Sequence, residues 1–464
     1  MRHLILIAIT SVVLILLLTG YYLSSLFEKH SFLSTNNDLL DKNVTNTSTN
    51  NDFLNKNITN TIPLSKFLER EKQRQRFPKF DAFYDDYIKK HNRTVAKLFE
   101  QTTKDNSTKL PKVIVVQPNM DAGLGNRLPV LICGFLYSMI TDRLFFIEGF
   151  YSFAEYFEKD FDHDWKSVAN LYSNSSSKYL HNDNDNEFQL ITRGNLSNEE
   201  INSYDILYVH TWDYVCAPVI SNPNYKEWIS SIIPDNKIFG AISQKLLKLQ
   251  PDLNKQVATF IDNNFGEYNI GIHLRVRKNH AMTNFTTPTE HYCQTANMLM
   301  TGTEKKNVTI FIAADDGNNR IALKNCIHNS LDSKKNDSIK IVYAGDDIIN
   351  FNSDYVNPGT QIGAIIDLKI LSFCDDLVIT FGSSFSFMAA GWSYKSSPLW
   401  GPYVIMPVKN NNDDFVIDKI WVWKAMLNEP CMYFSKSLLK DSDPETVKVF
   451  KTNPFWMYYS QGCI

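Results

Sequence analysis

Residues 120–128 read Met120-Asp121-Ala122-Gly123-Leu124-Gly125-Asn126-Arg127-Leu128 and follow the apolar run Val113-Ile114-Val115-Val116. Four β-branched residues in succession suit a buried strand. The two glycines then permit a tight turn and close approach of the backbone to a ligand. Leu128 to Asp142 is apolar almost throughout and long enough for a helix of about four turns. Strand, glycine turn and helix together present backbone N–H groups and a helix N-terminus to an anion. A Gly-x-Gly pair after a strand is also a common structural turn, so the reading depends on later segments.

The second segment is Asn269-Ile270-Gly271-Ile272-His273-Leu274-Arg275-Val276-Arg277-Lys278, an apolar strand ending in positive charge. Ligands of open α/β sheets bind at the carboxyl ends of strands. A guanidinium there clamps a diphosphate and stabilises charge on a leaving group; a surface cluster paired with nearby acids is the plainer alternative. The third, Gln361 to Trp392, reads as a helix, a turn at Asp375, a strand over Asp376–Thr380, and a Gly382-Ser383-Ser384 loop entering another helix. Small hydroxyl residues at a helix start offer donors to phosphate, and they also serve as plain N-caps. In the fourth, Thr309 to Asp316, acids follow a strand. They contact a nucleoside or an arginine, or cap the next helix.

Strand candidates at Tyr268–Leu274, Val308–Ala314, Ile339–Ala344 and Asp376–Thr380 alternate with helices, the signature of a parallel sheet. A further strand is expected at Asp205–His210, and a polar low-complexity loop at Ser173–Asn186. The expected organisation is a short tail at 1–3, a membrane anchor at 4–26, a stem at 27–65, a helical neck or cap at 66–108, and two α/β domains at 109–262 and 263–464.

Leu4 to Leu26 contains no charged residue and is long enough to cross a hydrocarbon core of ~30 Å. No small-residue cleavage site follows, so an uncleaved signal anchor is expected. Beyond it lie ten N-glycosylation sequons, at Asn43, Asn46, Asn57, Asn92, Asn106, Asn174, Asn195, Asn284, Asn307 and Asn336. They fit a lumenal body. All seven cysteines also lie beyond the anchor, without a C-x-x-C pair, so disulfides are expected rather than zinc. Cys133 and Cys374 sit in apolar runs and also read as core thiols. The net charge of −3 supplies no basic stripe, which argues against nucleic acid as a partner.

Together these segments resemble a family. Gly123-Leu124-Gly125-Asn126-Arg127 with the apolar helix after it is similar to the opening motif of the plant xyloglucan and cell-wall α-1,2-fucosyltransferases. Ile270 to Arg275 resembles the arginine motif shared by α-1,2-, α-1,6- and protein O-fucosyltransferases. Ala313-Ala314-Asp315-Asp316 and the stretch from Asp367 to Phe385 resemble later motifs of that superfamily, in the same order. The resemblance implies a GT-B-like α/β fold of two Rossmann-like domains facing a cleft. It implies GDP-fucose as donor, a glycan or polysaccharide acceptor, α-1,2 transfer to galactose with inversion, and no obligatory metal or other cofactor. It places Arg275 on the diphosphate, and His273, Arg277, Asp315, Asp316, Asp367, Ser383, Ser384 and Phe385 at the donor. Gly123, Gly125, Asn126 and Arg127 line the cleft. By analogy the protein is a single-pass type II Golgi membrane enzyme with a lumenal catalytic body.

A general base must reach the acceptor hydroxyl. Asp162, within Asp162-His163-Asp164, is one candidate; its segment, Tyr151 to Trp165, reads equally as an acceptor-binding loop with solvated charges. Two rival functions stand beside the transferase. A metal-dependent glycosyltransferase using another nucleotide sugar would need an Asp-x-Asp motif, for which Asp183-Asn184-Asp185 and Asp162-His163-Asp164 have the letters. A non-catalytic glycan-binding protein on the same fold is the other.

Overall fold

The computed structural model describes residues 65–101, 109–120, 122–181, 194–210, 222–234, 237–275, 288–331, 338–344, 358–380, 383–393, 401–409 and 415–424. All of them fall in one compact unit. The expected anchor at Leu4–Leu26 and most of the stem lie outside these residues, and no helix among the described residues is long and apolar enough to cross a membrane.

The chain builds two sheets. The first has strand order β2-β1-β4-β3, from β1 (Val113–Val116), β2 (Leu144–Ile147), β3 (Ser177–His181) and β4 (Ile206–His210), all parallel. The second has order β10-β9-β8-β5-β6-β7. It uses β5 (Tyr268–Leu274), β6 (Val308–Ala314), β7 (Ile339–Val342), β8 (Asp376–Thr380), β9 (Tyr403–Lys409) and β10 (Phe415–Lys424), and only β10 runs antiparallel. In each sheet the chain leaves a central strand on one side and later returns to its other side. These switch points lie between β1 and β4 and between β5 and β8. Crevices at the carboxyl ends of such strands are where open α/β sheets bind ligands.

Two helices come before the first sheet. α1 (Lys66–Gln73) attaches to the second half of the chain. Its N-cap Ser65 donates to Asp262 at 2.8 Å, Arg70 pairs with Asp375 at 2.8 Å, and Arg74 donates to the Trp392 carbonyl. α2 (Pro78–Gln101) instead packs on the first half, with Tyr84 and Tyr87 against Phe135 of α3 (Leu124–Ile140). The expected neck is therefore divided between the two halves. α3 begins inside the glycine turn rather than at Leu128. Gly123 is extended, and the amides of Asn126 and Arg127 both donate to its carbonyl, which starts the helix early.

The first half continues through short helices α4 (Phe153–Tyr156), α5 (Trp165–Val168) and α6 (Glu199–Ser203), then α7 (Lys226–Ile232) and α8 (Ile238–Leu246). α9 (Pro251–Asn264) leads into β5. The second sheet is interleaved with α10 (Thr289–Thr301), α11 (Gly317–Ser330), α12 (Pro358–Leu371) and α13 (Ser384–Gly391). Strand alternation sorts these helices. Ile270, Ile272 and Leu274 face α10 and α11 in one core cluster, and a Cβ added at Gly271 would meet Leu377 and Cys374 on the other face. A larger cluster, holding Phe311, Ala313 and Ile379, continues through α12, α13 and α3 into the first half. The two sheets thus share a core.

Two expectations are corrected. The polar stretch from Ser173 contains β3, which pairs in parallel with β4 and stacks Tyr179 on Tyr208 at 4.7 Å. An edge strand needs backbone partners on one side only, so its polar composition concealed it. Cys133 is disulfide-bonded, not a core thiol, and its partner lies outside the described residues. Cys293 and Cys326 join α10 to α11, and Cys374 is free and buried.

Candidate active site

The second switch point is fixed by hydrogen bonds. Thr380 ends β8, and its Oγ1 donates to the His273 carbonyl at 3.0 Å while accepting the Arg275 amide at 2.9 Å. Tyr292 of α10 shares that oxygen at 2.6 Å. With the Thr380 proton committed to His273, the tyrosine is the donor. The backbone therefore leaves β5 in one direction, and Arg275 emerges from the strand end half-exposed.

Parallel register places Leu274 beside Ala314, so the next residues, Arg275 and Asp315, are neighbours. The Arg275 Nη1 lies 3.2 Å from Asp315 Oδ2; the guanidinium is 39% exposed and the carboxylate 6%. A buried acid thus holds a cation whose outer side faces solvent. Asp316 does something else: its carboxylate accepts the Asn319 amide at 3.0 Å and caps α11. The two adjacent acids take the arginine-binding and helix-capping roles that the sequence left open.

His273 is buried between β5 and α13. Its Nδ1 hydrogen-bonds the Ser386 hydroxyl, and its ring lies 4.8 Å from that of Phe385. Burial, then the charge of Arg275, pushes its pKa down to about 3, so the imidazole is neutral near pH 7 and positions α13 rather than carrying charge.

The first half meets this arrangement at Gly125. A Cβ there would lie 2.4 Å from the Phe385 amide nitrogen, 2.6 Å from Ser384 Oγ and 2.8 Å from Phe385 Cα. Glycine is required because the start of α3 presses on the start of α13. Gly123, two residues earlier, is exposed with open space where a side chain would stand. Ser383 is the N-cap of α13 and its side chain makes no capping hydrogen bond. Two helix N-termini and a guanidinium therefore share one neighbourhood. Each terminus carries partial positive charge and outward amides, the chemistry of an anion cradle.

Other predicted residues are committed to local contacts or to burial. Arg127 is 2% exposed; it donates to the Met120 carbonyl at 2.5 Å and lies over Phe150, so it braces the glycine loop from within rather than lining open space. Asn126 is half-buried beside it. Asp367 sits in α12 with Oδ1 buried and without a hydrogen-bond partner among the described residues. Burial raises its pKa to about 8 against the opposing charge of Arg320. Asp162 pairs with Lys159 at 2.9 Å and also accepts the Asp164 amide. Burial raises its pKa, but these contacts outweigh that and leave it below the usual carboxylate range, the wrong direction for a general base. Asp164 caps α5, and His163 is buried among Phe153 and Phe161, so Asp162-His163-Asp164 is committed to local structure. Arg277 and Asp183-Asn184-Asp185 lie outside the described residues. Of the sequons, Asn92, Asn174, Asn195 and Asn307 are exposed, and the others lie outside the described residues. Thr380, Tyr292 and Ser386 were not foreseen as site residues; only the pairing of β5 with β8 and α13 reveals them.

No protein-family profile matches the chain, and no curated protein matches it. Solved structures do. The GDP complex of an Arabidopsis thaliana FUT1 variant aligns with TM-score 0.56 at 17% identity, over 75% of this chain and 83% of that one. The chain has the fold of that protein. Looser likenesses run to the fucosyltransferase NodZ from Bradyrhizobium (TM-score 0.41, 14% identity, 68% of this chain and 99% of that one). POFUT1 in complex with GDP-fucose is similar at TM-score 0.35 and 12% identity, over 64% and 99%.

Proposed function

We propose that this chain is a GDP-fucose-dependent fucosyltransferase acting on a glycan. The observation that carries the reading is the packing of Gly125 against Ser384 and Phe385 beside the strand that delivers Arg275. It joins three of the motifs that resemble the fucosyltransferases into one anion cradle. The FUT1 complex, whose fold this chain shares, holds GDP, which agrees with a diphosphate as the anion.

In this reading the Arg275 guanidinium and the first amides of α13 accept the charge that develops on GDP as the bond to fucose breaks. Asp315 keeps the guanidinium oriented. Protein donors take the place of a metal, the acceptor approaches on the face opposite GDP, and the sugar carbon is inverted. Transfer in α-1,2 linkage to galactose, and a Golgi-lumenal body behind a type II anchor at Leu4–Leu26, belong to the same proposal. The Cys293–Cys326 disulfide supports an oxidising compartment.

The test is thermal unfolding of the full chain in detergent with GDP, GDP-fucose, GDP-mannose or UDP-sugars, with and without EDTA. Ligand at ~100 times its Kd stabilises by about 2.7 kcal/mol. The expected result is a shift with GDP and GDP-fucose that EDTA does not change and Arg275→Ala reduces. A shift only with UDP-sugars and metal, or none with GDP ligands, overturns the proposal. GDP-fucose binding without transfer to any member of a glycan acceptor panel would favour the non-catalytic glycan-binding reading.

A further inference from the structure

A second polar cavity, of about 240 Å3, lies at the other end of α13 from Ser383. At ~1.5 Å per residue along that helix it is separate from the anion cradle. Elements of both halves enclose it: α1 and α8, the turn at Lys248, Glu158, Lys369 of α12, and Trp392 just past α13. Four cations, Arg74, Arg76, Lys248 and Lys369, stand on its wall against two carboxylates, Glu71 and Glu158.

Two of the four cations are already paired, and Arg76 donates to the Glu71 carbonyl at 3.3 Å. Arg74 is paired with Glu71 at 3.1 Å and donates to the Trp392 carbonyl, and Lys248 is paired with Asp160 at 2.8 Å. Lys369 is the exception. It is 9% exposed, with its Nζ 4.2 Å above the Trp392 ring and 5.5 Å from that of Phe373, and it makes no hydrogen bond or ion pair with a described residue. A buried ammonium without an acceptor is costly. Burial, then the nearby charge of Arg74, holds its pKa well below that of an ordinary lysine, against the opposing charge of Glu71. The Trp392 ring and the more distant charge of Glu71 attract the ammonium, but neither gives its N–H groups an acceptor within hydrogen-bond reach among the described residues.

We propose that this cavity is an oxyanion site, in which a phosphate or sulfate group accepts hydrogen bonds from Lys369 with Arg76 and Lys248 at the mouth. Its volume is below the ~300–1,000 Å3 of sites for drug-sized ligands, which suits a single tetrahedral anion and not a nucleotide sugar. An occupant would contact elements of both halves at the side of their junction away from Arg275. The inference does not depend on the transferase reading.

The experiment is titration calorimetry of the full chain in detergent at constant ionic strength with inorganic phosphate, inorganic sulfate and a hexose 6-sulfate, with and without GDP. Saturable binding of one anion per chain is expected. Lys369→Met should weaken it roughly tenfold or more, as for a lost hydrogen bond to a charged group, while the response to GDP stays as in the wild type. Arg76→Gln, at an exposed position that leaves the buried wall intact, should weaken it about threefold and carries the test if Lys369→Met does not fold. Tighter binding of the ester than of free sulfate assigns a sulfated glycan as occupant, and the reverse assigns a free ion; both keep the site. A cavity that holds only water shows no saturable binding and overturns the proposal. So does phosphate binding that GDP displaces and neither variant changes, because the anion would then occupy the other cradle.

Discussion

Gly125→Ala tests the contact on which the site depends. The new Cβ would stand 2.4 Å from the Phe385 amide nitrogen and 2.8 Å from Phe385 Cα. Atoms in good contact lie ~3.5 Å apart, so α3 and α13 must separate by ~1 Å at their starts. The Ser384 hydroxyl can rotate away, but the Phe385 backbone cannot move without the helix. Alanine favours a helix over glycine by ~1 kcal/mol, and overpacking costs ~1–3 kcal/mol, so a net loss of up to about 2 kcal/mol follows. The effect on the ligand is larger in proportion, since a 1 Å misplacement costs roughly 10²-fold in rate. Gly134→Ala is the control. Its Cβ would meet Val116 Cγ2 at 2.1 Å, at the end of β1, and the three nearest atoms all belong to Val116 rather than to α13. Denaturant unfolding and GDP titration of both variants should show stability lost in each, with GDP binding and fucose transfer impaired only in Gly125→Ala. Unchanged stability and unchanged GDP affinity in Gly125→Ala would refute the packing argument.

Other predictions follow from single groups. Arg275→Ala should weaken GDP binding about 10- to 100-fold, as for a charge-assisted hydrogen bond of ~1.5–3 kcal/mol; it should also lower stability, because buried Asp315 loses its guanidinium. Arg275→Lys should recover only part of the affinity, since an ammonium lacks the planar fork. Burial holds His91 and His163 at about 4 and His273 at about 3. The unfolded chain, with histidines near 6.5, binds more protons below that pH, so stability should fall from pH 6.5 toward 4, by ~2 kcal/mol per histidine at pH 5. His91→Phe should flatten this trend in denaturant midpoints measured at pH 7 and 5. Asp367 has the opposite sign: with its folded pKa at about 8, stability is lost as pH rises, so Asp367→Asn should stabilise the chain at pH 8 and little at pH 4. Cys293 and Cys326 are 33 residues apart, and Cys293→Ser should cost about 3–4 kcal/mol by loss of loop-closure entropy, measured by denaturant unfolding.

The parts of the fold with strong period and composition were legible in the sequence. Val113–Val116, Tyr268–Leu274, Val308–Ala314 and Asp376–Thr380 form strands at those residues, because buried parallel strands read as apolar runs. β3 was hidden by its polar edge position, and the sequence reading named no strand at β2, β9 or β10. The site was legible as motifs but not as partners. Asp315 and Asp316 are adjacent acids in the chain, and only the register of β5 on β6 assigns the first to Arg275 and the second to a cap. Asp162 looked like a candidate base, and its pairing with Lys159 three residues earlier makes it a poor one. Arg127 belonged to the right motif, yet its guanidinium turns inward to the Met120 carbonyl. Local sequence specifies residue type and strand ends; which side chain meets which is decided by strand order and helix packing over more than a hundred residues.

The arrangement also explains why the cradle is built around an arginine beside an acid. Lone positive charge at the mouth would come from a long side chain that loses about 2 kcal/mol of rotamer entropy when it is fixed. Asp315, buried and joined to Nη1, imposes that order during folding, so an incoming anion would meet a guanidinium already oriented. The acid also opposes an anion, and burial limits how far it does so: Asp315 lies behind the guanidinium at 6% exposure, while the 39% exposed arginine faces outward. Neutral His273 adds no competing charge and instead ties β5 to α13 through Ser386. The helix N-termini are held by the same contacts, one through Ser386 and the other through Gly125. Part of the positive potential in this site is therefore a property of packed backbone, which does not titrate near neutral pH and which a single misplaced methyl group can disturb; the rest is the Arg275 guanidinium.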